Sequence, residues 1–246
     1  MQTKFLYLHL ASAPALALFQ DGPEENAQRG TILFYHGFGE SKDKYVEVLT
    51  RFAAAGFLAI GIDGVGHGER RYPDFTERFP PIQPPLIGDT QLEAAFLSVV
   101  RATTQEIPAI IDALFERSWV YGGRLGISGH SFGGFVTYAA VVAEKRIRVA
   151  ASVVGSPQWK LPWPESPHLH IDQFFPAALL SQTASNDTRL LPDFARELHQ
   201  RLVSYYAQTP ERLRYIEYQD SAHDLSEQDW QQAWENVVHW FERFIS

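Results

Sequence analysis

A mostly parallel β-sheet flanked by helices, the α/β class, is the fold this sequence predicts. Three observations lead there. From Thr31 onward, short β-branched or aliphatic runs alternate with longer helical patterns. Several of these runs are apolar on successive residues, as strands buried on both faces are. The 246 residues, 45% of them hydrophobic, suffice for one sizeable core, so a single domain spanning 1–246 is expected.

Two strands, Phe5 to Leu10 and Ala15 to Phe19, are expected first, joined by a turn containing Pro14, and a polar turn follows at Asp21-Gly22-Pro23. Central strands are expected at Thr31 to Tyr35, Phe57 to Ile62, Arg124 to Ser128, Val149 to Gly155, Ala177 to Gln182 and Leu213 to Tyr218. Helices are expected at Lys44 to Ala55, Gln91 to Phe115, Gly133 to Lys145, Asp193 to Ala207 and Gln228 to Phe244. In the last, Trp230, Ala233, Trp234, Val237, Val238, Phe241 and Phe244 fall on one helical face, and Ser226 with Asp229 forms a capping box. Pro108 lies inside the second helix, where its missing N–H and ring clash cost about 3 kcal/mol, so a kink or break is expected there. Two proline-rich stretches, 70–85 and 156–176, fit neither pattern, and the second carries Trp159, Trp163, His168, His170 and Phe174. Following strand C-termini, both are expected to be small cap-like loops walling a ligand crevice.

The formal charge of −8 and the lack of a basic stretch argue against a nucleic-acid partner. There is no cysteine, which excludes a disulfide framework, a thiolate nucleophile and a Cys-based zinc site. Phe5 to Phe19 is largely apolar, and Ala11-Ser12-Ala13 has the small-x-small look of a cleavage site. Its basic region is a single Lys4, however, and the run is broken by His9, Ser12 and Pro14. A cytoplasmic protein is expected, with secretion the alternative. No run reaches the roughly 18 to 20 apolar residues of a membrane span.

The chemistry centres on Gly129-His130-Ser131-Phe132-Gly133, a Gly-x-Ser-x-Gly motif between a strand and an apolar helix. A serine on that tight turn has its Oγ lifted above the sheet, the glycines let backbone approach closely, and the helix dipole favours developing negative charge. Ser131 is therefore the candidate nucleophile. Upstream, the strand ending at Tyr35 runs into His36-Gly37-Phe38-Gly39, where a second oxyanion donor is required, so the backbone N–H groups of Phe38 and Phe132 are the candidate oxyanion hole. His223, between the last central strand and the terminal helix, is the candidate base. His67 sits among glycines and is expected to hold backbone groups, His130 to point away from Oγ, and His239 to lie at the surface or in packing. Asp187, after the strand at Ala177 to Gln182, is the candidate orienting acid, and Asp193 a helix N-terminal charge. The order Ser131, Asp187, His223 is that of α/β-hydrolases.

On these residues, and on Phe34-Tyr35-His36-Gly37-Phe38, Ile62-Asp63-Gly64-Val65-Gly66-His67-Gly68-Glu69-Arg70, Asp187-Thr188-Arg189-Leu190 and Ala222-His223, nearly the whole chain resembles the α/β-hydrolase superfamily. Within it, the chain is most similar to the small dienelactone-hydrolase-like and prolyl-oligopeptidase-like bacterial esterases. The resemblance implies an eight-stranded, mostly parallel sheet, no cofactor or metal, and hydrolysis of carboxylic esters through an acyl-enzyme. Two features depart from it. Leu180-Ser181-Gln182-Thr183 stands where relatives commonly end the strand in His-Gly, and residue 131 is serine where dienelactone hydrolases proper use cysteine. Phe38, Phe132, Trp159 and Trp163 are expected as pocket walls, giving a shallow site for short- to medium-chain acyl groups of a small-molecule ester. Thioesters and peptides are alternatives on the same residues, and a catalytically inactive binding protein is the alternative of another class.

Overall fold

The computed structural model describes residues 2–80 and 89–245. Eight strands form one sheet: β1 (Lys4–Leu10), β2 (Ala13–Phe19), β3 (Thr31–Tyr35), β4 (Leu58–Ile62), β5 (Leu125–His130), β6 (Val149–Val153), β7 (Ala178–Ala184) and β8 (Leu213–Tyr218). Their order across the sheet is β1-β2-β4-β3-β5-β6-β7-β8. β2 is antiparallel to both β1 and β4, and every pairing from β4 to β8 is parallel. The helices are α1 (Pro23–Ala27), α2 (Val46–Ala54), α3 (Phe75–Arg78), α4 (Thr90–Glu116), α5 (Phe132–Ala143), α6 (Pro192–Leu202) and α7 (Glu227–Phe244).

The successive-apolar strands divide their residues between two cores. In β3, Leu33 and Tyr35 pack with the apolar faces of α4 and α5, while Ile32 and Phe34 pack with α2 and α7. This is the two-residue strand period with apolar side chains on both faces. The expected eight-stranded α/β architecture is therefore present. Among the described residues, no helix is long and apolar enough to cross a membrane.

Four local expectations need correction. Pro14 is not in the hairpin turn but inside β2, opposite His9, and the turn is Ala11-Ser12 with Ala11 at φ 50. Near a strand start the missing donor is tolerated. Of the kink or break expected at Pro108, the break is absent, because α4 runs continuously from Thr90 to Glu116. The proline is on the exposed side, while Ile107, Ile110, Ile111 and Leu114 are fully buried. Burial worth about 1.5–3 kcal/mol per side chain exceeds the proline penalty of about 3 kcal/mol. α6 ends at Leu202 rather than Ala207, because the chain turns to bury Tyr206, whose hydroxyl donates to Ala177 O at 2.6 Å. The capping box of α7 is half formed. Ser226 Oγ accepts the Asp229 N–H at 3.2 Å, but the Ser226 N–H goes to Ser221 Oγ, which itself donates to Asp229 Oδ2. In the first cap-like stretch α3 had no periodic signal, being a single turn, and 81–85 lie outside the described residues. The second stretch is two short 3-10 turns, Pro167–Leu169 and Ile171–Gln173.

A Cβ on Gly133 would lie 2.0 Å from the Tyr35 carbonyl oxygen, in backbone that cannot step aside. Gly122 sits at φ +57 with nothing within 4 Å. Gly133→Ala should cost about 3 kcal/mol in urea unfolding, and Gly122→Ala only about 1 kcal/mol. Equal costs would show that the contact between α5 and β3 is not tight.

Candidate active site

β5 lies in the middle of the sheet, between β3 and β6, and hands the chain to α5 through Ser131. That residue has φ 52 and ψ −107, a backbone conformation a non-glycine side chain rarely adopts. Its N–H donates to Val153 O at 2.9 Å, and the Gly133 N–H donates to His36 O at 3.0 Å, so both neighbouring strands hold the turn. The flanking glycines permit it. A Cβ on Gly129 would meet the Gly133 backbone at 2.4 Å.

Ser131 Oγ lies 2.9 Å from His223 Nε2, and His223 Nδ1 lies 2.7 Å from Asp187 Oδ2. Three residues from distant parts of the chain are thus joined in one hydrogen-bond series. Asp187 is 3% exposed, and its other oxygen accepts the Arg189 and Leu190 N–H groups at 2.8 and 2.9 Å. The loops after β7 and β8 brace each other, with the Ser185 N–H donating to Tyr218 O and the Asn186 N–H to Ser221 O. Asp193 lies instead in the first turn of α6, paired with Arg196.

The N–H groups of Phe38 and Phe132 donate to no protein acceptor among the described residues. Phe38 is held by a clamp on the residue before it. His36 Nδ1 donates to Gly37 O at 2.7 Å, while His36 Nε2 accepts the Gly64 N–H at 3.0 Å. Behind Phe132, His67 stacks on its ring at 4.9 Å and uses Nδ1 to hold Val65 O at 2.8 Å, the backbone role expected of it. The rest of that glycine-rich segment is structural. Asp63 accepts from Lys42 Nζ at 3.0 Å, both fully buried, while Arg70 reaches the Asp63 and Gly64 carbonyls and both Glu106 oxygens. His130 is turned from Ser131 Oγ to Tyr45, with its Nδ1 2.8 Å from Oη.

A cavity of about 400 Å³ opens over Ser131 and His223. Phe38 lines it, but Phe132, Trp159 and Trp163 do not. The Phe132 ring is fully buried against His67, and Trp159 is 3% exposed, folded onto its own loop with its backbone N–H on Ser166 Oγ and its ring edge-on to Trp163. The apolar walls are instead Phe96 of α4, Phe135 of α5, Leu190 and Phe194. Charged groups at the cavity are Glu40, Glu93, Lys160, Arg189 and Asp224. Burial pushes the Glu93 carboxyl up, while Lys160 opposes the shift. Nothing local in the sequence marks Phe96 or Phe135, since each reads as one more apolar residue on a helix. Among the described residues no group of three His, Asp or Glu could hold a metal ion.

Comparison with known proteins bears out the resemblance to α/β-hydrolases. The model of the family described as serine aminopeptidase, S33, matches residues 26–223. The Bacillus subtilis protein named "Putative esterase YitV" is 24% identical over 253 residues, covering 90% of this chain and 92% of that one. The Escherichia coli esterase YjfP is 26% identical over 147 residues, covering 60% of this chain and 53% of the relative. The crystal structure of TT1662 from Thermus thermophilus superposes with a TM-score of 0.77 at 20% identity, covering 98% and 99% of the two chains.

Four histidines in the interior are held neutral. Burial lowers His36, takes His199 to about 3, and is the main cause that takes His67 and His130 to about 4, from an ordinary 6.5. The unfolded chain therefore binds more protons below pH 6.5, and stability falls as pH drops from about 6.5, levelling near 4 for His67 and His130 and near 3 for His199. Urea unfolding should lose on the order of 1 kcal/mol or more for each of His67, His130 and His199 between pH 7 and 5. His199→Asn should flatten part of that slope. A level profile in the wild type would mean that these imidazoles titrate normally in the folded protein.

Proposed function

Because this chain belongs to the serine aminopeptidase S33 family of α/β-hydrolases, we propose that it hydrolyses carboxylic esters through an acyl-enzyme, with Ser131 as nucleophile, His223 as general base and Asp187 orienting the imidazole. Hydrolase activity is supported by the family and by the two esterase-named relatives. The finer reading is carried by one observation, the continuous series from Ser131 Oγ through both His223 nitrogens to Asp187.

In that reading Nε2 takes the Ser131 proton as Oγ attacks the ester carbonyl, and the tetrahedral oxyanion is met by the Phe38 and Phe132 N–H groups. His223 returns the proton to the departing alcohol, and water repeats the cycle on the acyl-enzyme. The buried Asp187 carboxylate holds the proton on Nδ1, so that Nε2 is the free acceptor, and stabilises the imidazolium. The family's description as aminopeptidases favours amide cleavage as the second reading, since the same three residues select no leaving group. A cytoplasmic location goes with the proposal. The small-x-small segment Ala11-Ser12-Ala13 falls at the β1–β2 turn of the sheet.

A fluorophosphonate should label the wild type at Ser131. Ser131→Ala should remain folded and lose label together with about 10⁴- to 10⁶-fold in kcat. Asp187→Asn should lose about 10⁴-fold in kcat with KM little changed, and Asp193→Asn almost nothing. A folded Ser131→Ala protein keeping more than about a tenth of wild-type turnover sinks the assignment.

The cavity walls on the Phe38 side are the short aromatic layer of Phe96 and Phe135, whose rings lie 5.1 Å apart. Each buried methylene gains about 0.8 kcal/mol until that apolar wall ends, so kcat/KM over p-nitrophenyl esters should peak at roughly four to eight acyl carbons. A maximum at palmitate, or p-nitroanilides of amino acids outpacing all the esters, would require a different substrate class.

A further inference from the structure

We infer that Tyr45 is a positioning residue whose hydroxyl sets the oxyanion loop and the nucleophile turn in register with each other. The inference rests on the reading of Ser131, Phe38 and Phe132 given above. Tyr45 ends the 3-10 turn Lys42–Tyr45 just before α2 and is 4% exposed, with its ring 5.1 Å from Phe34 and 6.3 Å from Trp230. Its Oη has three hydrogen-bond neighbours. The Gly37 N–H donates to it at 3.1 Å, Glu40 Oε2 lies at 2.5 Å, and His130 Nδ1 at 2.8 Å. Gly37 is the residue before Phe38, and His130 the residue before Ser131.

Counting protons assigns the directions. Burial pushes the Tyr45 phenol up, so it keeps its proton. Burial would also raise Glu40, but hydrogen bonds from Lys44 and Tyr45 outweigh it and hold the carboxylate ionised. A phenol has one proton to give, and the carboxylate can only accept, so Tyr45 donates to Glu40. The Gly37 amide can only donate to Oη, which leaves His130 Nδ1 as the second donor to that oxygen. His130 is thereby fixed as the Nδ1–H tautomer, with its ring tied away from Ser131.

The same oxygen governs the other donor. Gly37 is gripped at both ends, its N–H by Tyr45 and its carbonyl by His36 Nδ1 at 2.7 Å. A peptide unit is planar and trans, so a carbonyl held in one direction aims the next N–H, that of Phe38, the opposite way. The network closes on a bare Cα. A Cβ on Gly37 would lie 2.4 Å from Glu40 Oε2 and 2.9 Å from Tyr45 Oη. One hydroxyl thus joins the loop after β3 to the end of β5 at the point where both proposed oxyanion donors emerge.

Tyr45→Phe deletes only the hydroxyl and keeps the ring. With p-nitrophenyl butyrate its kcat should fall about 10- to 100-fold while KM stays within about twofold. The affinity of a phenylboronic acid, which forms a tetrahedral adduct on an activated serine, should fall by the same factor as kcat, with the far-ultraviolet circular dichroism unchanged. His130→Asn places an amide N–H where Nδ1–H was and should stay within about threefold of wild type, whereas His130→Ala should fall as far as Tyr45→Phe. If Tyr45→Phe fails to fold, the His130 pair decides. An unchanged kcat in Tyr45→Phe, a rise in KM alone, or equal losses in His130→Asn and His130→Ala would overturn the inference. Absence of fluorophosphonate label on wild-type Ser131 would overturn the ester-hydrolase reading and this one with it. A labelled wild type with undiminished Tyr45→Phe turnover would overturn only this one.

Discussion

The backbone conformation at Ser131 is the constraint on which the rest of the structure depends. A non-glycine residue at φ 52 and ψ −107 costs on the order of 1–3 kcal/mol and persists only where its surroundings leave no other choice. Those surroundings are three adjacent central strands. Val153 at the end of β6 accepts the Ser131 N–H, His36 after β3 accepts the Gly133 N–H, and Gly129 and Gly133 approach too closely for any side chain between them. Farther along, Gly134 and Gly155 face each other at a distance that excludes a Cβ on either. α5 can lie this near the sheet only because four positions lack side chains. The same closeness exposes the hydroxyl above the sheet and brings the helix N-terminus beneath it.

The proposed acid and base are set by a different device. Neither Asp187 nor His223 lies on a strand, and each follows the C-terminal end of one, β7 and β8. Backbone hydrogen bonds from Ser185 to Tyr218 and from Asn186 to Ser221 tie the two loops side by side before either side chain is reached. Asp187 is then locked by the two amides that follow it, leaving one oxygen for His223. The departure from relatives at Leu180-Ser181-Gln182-Thr183 does not disturb this. Ser181 is spent on Tyr138 and His199, and Gln182 on Tyr218 and Ala233 O, all buried within the β7 region.

What could be read from the sequence divides along the range of the forces involved. Strands such as Thr31–Tyr35 and the Gly129-to-Gly133 turn are local patterns, successive apolar residues or glycines at fixed spacing, and the structure has them where the pattern puts them. The order of Ser131, Asp187 and His223 was legible because each follows one of the parallel strands, whose C-termini share one edge. The cavity walls were not legible in this way. Trp159 and Trp163 are the most conspicuous aromatics of the loop after β6, yet a bulky apolar side chain in a short loop gains most by folding inward, and Trp159 does so. Phe96 and Phe135 reach the cavity because α4 and α5 pack side by side, a tertiary fact with no local mark. Pro108 makes the same point in reverse. A strong local signal for a break loses to a buried face that extends on both sides of it.

The nine histidines show how environment separates chemically equal side chains. His36 and His67 spend Nδ1 on a backbone carbonyl and lie in the aromatic layer of Phe38, Phe75 and Phe132, where protonation would put an unpaired charge in low dielectric. His199 bonds Ser181 in the interior, and burial depresses it too. His130, beside Ser131 in sequence, has its Nδ1 committed to Tyr45, and His223 adds to its depression. Among the described residues, only His223 combines a carboxylate on one nitrogen with a serine hydroxyl on the other. A base must gain a proton and lose it again within one turnover, so it needs a partner for the charge it acquires. Among the described residues the buried imidazoles around the site have no such carboxylate partner, His36 coming no nearer than 3.9 Å to an Asp63 already occupied by Lys42. Keeping them neutral also removes like charges that would oppose an imidazolium at His223, so in the proposed mechanism these buried imidazoles favour the proton transfer by remaining uncharged.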